Sequence, residues 1–476
     1  MEKKSTSYAQ LLREFLDPAR VIDPERVARL LREDPAAAVF LILELRRRAL
    51  PQPAPHTPSG AIPPQNKPNA QRRKKKPGRK KGHPGARRPR PNRIDRQEEH
   101  HLDCCPHCGG AVHPCQGKHA IRTRIIEDLP ENIRTEIVEH IIHRAYCPGC
   151  KKTVEPPVPD ALPGATLGLR LLSLTAYWHY QVGIPVRRIV EMLNAHLHCP
   201  LSAGGLVRMW QRLAKHLGPW YAQLVDEARQ AAVLHADETG WRINGQTHWL
   251  WCFSSADTTV YMIDRNRGSP ALKKFFEDAF AGTLVTDFWA AYNTVTCERR
   301  QFCLAHLLRE LERTSEVNPS PAWQAFARKA MRLFRDALRL RKREDFTPET
   351  YASRIQRLNE RLVDLMLIES TDPDVRRIAK RLRNYWDELL TFLDHPEVPP
   401  TNNHVERELR PAVIWRKVMQ GNRSDRGAGT QAGLMSILRT LQRRGYKAID
   451  TLVEYLQISL RDGKLPPFPT KPPADG

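Results

Sequence analysis

The chain has 476 residues, 41% of them hydrophobic, and carries 76 Lys+Arg against 53 Asp+Glu for a formal net charge of +23. That length excludes a single core and predicts two to four domains. The charge points to a polyanion, nucleic acid first, although an anionic membrane or a basic tail alone could also produce it. The longest apolar stretch, Ala36 to Leu43, is far short of a membrane span, and the first residues have no signal-peptide core. Ten cysteines are too few and too clustered for a disulfide scaffold, so a reducing cytoplasm is expected.

Residues 1–50 predict short amphipathic helices punctuated by Asp-Pro pairs. Residues 51–98 form a linker and arm. The linker has seven prolines in 18 residues (Pro51 to Pro68). The arm, Gln71 to Arg93, holds 12 Lys/Arg and no acid, and without it the chain is still +11 (23 − 12). Arg72, Arg73, Lys74, Lys75, Lys76, Arg79, Lys80, Lys81, Arg87 and Arg88 are its candidate phosphate contacts. A solvated tail is the plainer alternative.

Within residues 99–163, Cys105-Pro-His-Cys108 is followed after 38 residues by Cys147-Pro-Gly-Cys150. Two such knuckles place four thiolates as a tetrahedral, structural zinc requires. Cys104, His107, His113 and Cys115 are spare candidate ligands. Alternation in residues 120–129 and 134–147 predicts strands, hence a zinc ribbon. Residues 164–228 predict helices broken at Gly183-Ile184-Pro185 and at residues 199–205, with Ser202 as a cap. Arg208 and Arg212 on the last helix suit a helix-turn-helix DNA reader; three packed helices without DNA contact suit the pattern equally.

From residue 229 the period changes to that of strands. Three strands, the first two joined by Asn244-Gly245, precede further strands reached through crossover helices. The order β-β-β-α-β-α-β-α predicts a ribonuclease-H-like, retroviral-integrase-like core over residues 229–460. A helical insertion is expected at about 320–396, and a tail at 461–476. In that arrangement the strand carrying Asp237 neighbours the one ending at Asp287. Two adjacent carboxylates resist joint ionisation unless a cation neutralises them, and oxygen-only donors suit Mg²⁺ (or Mn²⁺). Glu406, behind a cap at Asn402 or Asn403, is expected to share a sheet-facing helix face with Leu409 and Val413. Glu408 is expected off that face, and Arg407 and Arg410 beside it to meet phosphates. Alternation allows only one of Asp237 and Glu238 to face the metals, and Asp237 is the expected ligand.

The strings HADETGW, TDFWAAYN, CLAHLLRE, NNHVERELRP and SDRGAGTQAGLMSILRTLQRRG, with the arm and paired knuckles, resemble a transposase of the insertion sequence 66 family. The resemblance implies a DDE triad at Asp237, Asp287 and Glu406. It further implies metal-dependent cleavage and strand transfer at the ends of an insertion sequence in double-stranded DNA. A homo-oligomeric synaptic assembly, small accessory proteins and a bacterial, nucleoid-associated setting go with it. Cys303 and His306 match a Cys-x-x-His pair in relatives; two ligands fall short of a metal site, so a buried structural role is expected. The alternative function is a non-catalytic, zinc-containing DNA-binding regulator derived from a transposase.

Overall fold

The structure is a computed structural model that describes residues 32, 91, 93–113, 123–126, 129 and 133–471. Apart from residue 32, the N-terminal helical segment lies outside the described residues, as do the Pro-rich linker and the ten basic arm positions named above. Described residues up to Ile133 belong to one compact unit, and those from Arg134 onward to a second. In the first, the amide of Cys105 donates to the Gly110 carbonyl and that of Gly109 to the Cys105 carbonyl, both at 2.8 Å. In the second, β1 (Ala145–Cys147) and β2 (Lys152–Val154) form an antiparallel hairpin around Cys147-Pro-Gly-Cys150.

The strand expected along residues 134–147 exists only at Ala145–Cys147. Residues 123–126 and 129, inside the other expected strand, are not in a strand either. Ile137 and Ile141 are 93% and 77% exposed, so no packed face rewards the alternation.

From Leu169 the helices follow the sequence pattern. α1 (Leu169–Ala176) continues into a wider π turn (Tyr177–Val182) that ends at Gly183, φ +89°, where only glycine avoids a Cβ penalty. α2 is Val186–His196 and α3 is Ala203–His216. Ser202 caps α3, its Oγ accepting from the Gly205 amide at 3.1 Å. A fourth helix, α4 (Gly218–Arg229), delivers the chain to the sheet. Leu172, Ile189, Leu206 and Trp210 are buried in a core that also contains sheet residues, so these helices have no separate core of their own.

The sheet contains β3 (Val233–Ile243), β4 (Gln246–Ser254), β5 (Thr259–Asp264), β6 (Phe280–Thr286) and β7 (Cys297–Phe302) in the spatial order β5-β4-β3-β6-β7. Asn244 and Gly245 both adopt positive φ, the geometry of a two-residue hairpin that matches strand twist. β3, β4 and β5 are antiparallel neighbours, whereas β6 runs parallel to β3 and β7. α5 (Ser269–Phe276) precedes β6. The helix expected after Asp287 is only a 3-10 turn, Ala290–Thr294. The segment between β6 and β7 is too short for more, because Val295 already leaves helical geometry.

After α6 (Leu304–Val317) come α7 (Pro321–Leu340), α8 (Pro348–Met366), α9 (Pro373–Asn384) and the one-turn α10 (Trp386–Leu389) and α11 (Thr391–Asp394). Ser320, Thr347 and Asp372 cap α7, α8 and α9, each followed by proline at the first helical position. These helices share a second apolar cluster with Val285 and Phe302 of the sheet. α12 (Asn403–Met419) crosses β3 and β4, α13 (Asp425–Arg443) runs along β5, and α14 (Ala448–Asp462) follows. β5 is an edge strand, and α13 covers it: the amides of Tyr261 and Thr259 donate to Ser436 Oγ (2.8 Å) and Thr440 Oγ1 (3.1 Å). Among the described residues no helix is long and apolar enough to cross a membrane.

Gly282 lies where β6 meets the approach to β3. A Cβ there would stand 2.5 Å from the Ala231 carbonyl oxygen and 2.8 Å from that of Ala232. Gly282→Ala is expected to push β6 off β3 and cost about 1–3 kcal/mol, read as a lower urea midpoint. An unchanged midpoint would contradict this packing.

Candidate active site

Parallel pairing sets the first relation in the site. Val233 pairs with Thr283, Leu234 with Leu284 and His235 with Val285, a constant offset of 50 residues. Two residues further on, the same offset brings Asp287, just past the end of β6, level with Asp237 on β3.

Side-chain alternation sets the second. His235 and Trp241 have the same parity as Asp237, and both meet the α12 region: His235 Nδ1 bonds Asn402 Oδ1 at 2.9 Å, and Trp241 stacks on Trp415 at 5.3 Å. Asp237 therefore faces α12. Glu238 points the other way. Its carboxylate accepts from Tyr292 Oη at 2.7 Å and from Arg267 Nε at 3.0 Å, and its side chain is 3% exposed. Arg267 lies between the rings of Trp249 (4.5 Å) and Trp289 (4.2 Å).

Asp237 has no cationic partner among these contacts; the amide of Glu238 donates to its Oδ1 at 2.8 Å. Burial pushes its carboxyl well above the usual range, and the charges of Glu238, Asp287 and Glu406 push it further. Asp287 Oδ1 accepts from the Trp289 amide at 2.9 Å, which fixes the turn leaving β6.

Glu406 sits in the first turn of α12 but turns toward α6. Arg309 Nη2 donates to its Oε1 at 3.2 Å, and His306 Nε2 stands 3.6 Å from the same oxygen. The helix face expected for Glu406 belongs instead to Glu408. That residue is buried with Val405, Leu409, Ala412 and Trp415, and Arg439 of α13 grips it bidentately at 2.5 and 3.0 Å. Burial raises the Glu408 carboxyl, but Arg439 outweighs it and holds the group below its usual value. The spacing was misleading because residues three and four apart, such as 405, 408 and 412, extend the same buried stripe.

Asn402 precedes α12 without capping it through its side chain. It is fully buried and reaches β3 instead, Nδ2 donating to the Ala236 carbonyl at 2.9 Å. Oδ1 must then accept from His235, so Nδ1 of that ring carries the proton. Burial pushes the His235 pKa down to about 4, which keeps the ring neutral. The Asn402 amide donates to Cys303 Sγ at 3.1 Å. One residue thus joins β3, α6 and α12. Its burial, like the Arg267, Tyr292 and Arg309 contacts, has no local sequence signal beyond the Asn402-Asn403 pair.

A family model described as Transposase IS66 family matches residues 164–430. The chain belongs to the IS66 transposase family. An uncharacterized protein, y4jD, of Sinorhizobium fredii (strain NBRC 101917 / NGR234) is 22% identical over 391 residues, covering 74% of each chain. The IS66 match begins just before α1 and ends within α13, so it contains Asp237, Asp287, Cys303, His306 and Glu406 but neither Cys-x-x-Cys knuckle.

The other expected site residues of this IS66 transposase are dispersed. The arm cations lie outside the described residues. Arg208 is exposed on α3, but Arg212 is turned to the carbonyls of Pro163 and Gly164, which leaves it tied to its own backbone. Arg407 and Arg410 are exposed on α12. In each knuckle, considered by itself, backbone amides lower the leading thiol: His107 and Cys108 act on Cys105, Cys150 and Gly149 on Cys147. Cys303 and His306 do not stand as an isolated pair: Glu406 supplies a third donor, all three ligand atoms lying within 4.8 Å of one another.

Two expectations follow. Glu408→Ala leaves Arg439 unpaired and half-buried and should cost about 3 kcal/mol or more, whereas Glu406→Ala should leave the unfolding midpoint nearly unchanged. Equal losses would contradict the division of roles. For Asp237 the folded pKa lies above the unfolded one, so its ionisation destabilises the fold as pH rises from the unfolded value through the folded value. Asp237→Asn should therefore melt higher than the wild type at neutral pH in chelator, by about 2–4 °C per kcal/mol relieved. The gain should vanish near pH 4. A constant difference across pH would rule out the charge crowding.

Proposed function

We propose that the chain is a DNA transposase of the DDE type, with a ribonuclease-H-like core. It binds the ends of an insertion sequence and catalyses strand cleavage and strand transfer. The observation that carries this reading is the parallel β3–β6 register, which brings Asp287 level with Asp237, together with the position of Glu406 in the first turn of α12, the helix that Asp237 faces. Supporting it are IS66 membership and the strand order with an antiparallel β3-β4-β5 and parallel β6 and β7.

The donor set fits a hard divalent cation. All three groups offer carboxylate oxygens, and the arginines that satisfy Glu238 and Glu408 are Arg267 and Arg439. Asp237, Asp287 and Glu406 would together hold Mg²⁺ (or Mn²⁺). When bound, such ions activate a water or 3′-hydroxyl and stabilise the leaving oxygen. The chain's own groups position the reaction. The Trp289 amide orients Asp287, Asn402 orients the helix of Glu406, and Arg309 balances Glu406 until a cation does. Exposed Arg208, Arg407 and Arg410 and the basic arm would take phosphates of double-stranded DNA, two copies of the chain serving two ends. The sequence spacing of the Cys105/Cys108 and Cys147/Cys150 knuckles supports a structural zinc as a further part of this reading.

Asp237→Ala, Asp287→Ala and Glu406→Ala should each reduce Mg²⁺-dependent cleavage of end-containing DNA by about 10³-fold or more while leaving the Kd for that DNA within about twofold. Cleavage retained by Asp237→Ala would overturn the assignment. A wild-type chain that binds ends but cuts in no metal would favour the regulator reading.

A further inference from the structure

Cys303 is the residue before α6, and His306 lies in that helix's first turn. Cys303 is fully buried. Burial pushes the Cys303 thiol up to about 11, but the amide of Asn402 donates to its sulfur at 3.1 Å and the amides of His306 and Ala305 also point at it. A buried thiol that serves only as packing has no use for several converging N–H donors. His306 has the complementary deficiency. Its Nδ1 is buried and finds no hydrogen-bond partner among the described residues, and its Nε2 faces Glu406 Oε1 at 3.6 Å, beyond hydrogen-bond reach.

The three ligand atoms, one sulfur, one imidazole nitrogen and one carboxylate oxygen, lie within 4.8 Å of one another. Ligands of a tetrahedral ion at Zn–N of about 2.0 Å and Zn–S of about 2.3 Å sit roughly 3.3–3.6 Å apart, so small side-chain movements complete the set. The mixed sulfur, nitrogen and oxygen donors select a borderline-soft ion of the zinc class over Mg²⁺.

We infer that Cys303, His306 and Glu406 form a zinc-class metal site that bridges the first turns of α6 and α12. The fourth position is open to water. Binding releases the Cys303 proton to solvent as the Sγ–metal bond forms, and it displaces Arg309, a partly exposed side chain, from Glu406 Oε1. The other carboxylate oxygen is left for the Asp237 and Asp287 side, so this ion would fix Glu406 for the acids without replacing the cations proposed there. The site goes beyond the proposed transposase reaction and does not require it.

The test uses the full chain, stripped by chelator and reloaded with Co²⁺. Bound metal per chain is measured by emission spectroscopy, and sulfur-to-cobalt charge transfer in the near ultraviolet. The knuckles contribute equally to wild type and variants, so the difference isolates this site. Cys303→Ser and His306→Asn should each bind one Co²⁺ fewer per chain than wild type, with the charge-transfer band reduced in the first. Asp237→Ala, which removes no sulfur ligand, should keep the full sulfur-to-cobalt charge-transfer band. Circular dichroism identifies a variant that has failed to fold, and the two substitutions are independent of each other. Folded Cys303→Ser and His306→Asn chains with wild-type Co²⁺ content would overturn the inference. Because no DNA is present, that result would leave the cleavage assignment standing, and loss of cleavage with an intact sulfur-to-cobalt band in Asp237→Ala would leave this one standing.

Discussion

The side chain of Asn402 is the link on which the acid cluster depends. It is fully buried, it spends both ends of its amide on β3, and its backbone N–H reaches the sulfur at the start of α6. A buried amide with every group satisfied is stable, and one left unpaired costs about 1–3 kcal/mol. That penalty fixes the start of α12 over His235 and Ala236, one residue before Asp237. Glu406, one helical turn along, is thereby set among the charges that Asp237 feels.

The fold stores an electrostatic conflict at that point and resolves similar ones elsewhere. Glu238 is buried with Arg267 and Tyr292, Glu408 with Arg439, and Glu310 with Arg377 and Arg381. Each of these acids is paired as a buried carboxylate must be. Asp237 is instead surrounded by further acids and kept toward its neutral form. Withholding the counter-charge from Asp237 while supplying it to these other acids supports the cation-binding role proposed for Asp237.

Much of this was legible in the sequence for a physical reason. Apolar runs read as buried strands, one carrying Asp237 and one ending at Asp287, and parallel pairing of β3 with β6 preserves a constant offset between them. The Asn-Gly turn, the Ser202 cap and the proline-led helices are local chemistry and were readable at once. What failed was non-local. The burial of Glu408 depends on Arg439, which α13 supplies from 31 residues away. The missing third donor beside Cys303 and His306 comes from about a hundred residues downstream. Residues 134–144 alternate like a strand, but a strand needs a neighbour and a packed face, and Ile137 and Ile141 have neither.

The central claim is that Asp237 and Asp287 together hold a divalent cation which relieves their repulsion. The most direct measurement is Mn²⁺ binding to the full chain, followed by the loss of the free-ion signal in electron paramagnetic resonance. The account expects saturable binding by the wild type that falls by at least about tenfold in affinity, equivalent to 1.4 kcal/mol, in the Asp237→Asn, Asp287→Asn double variant. Binding of equal affinity in the double variant would contradict it.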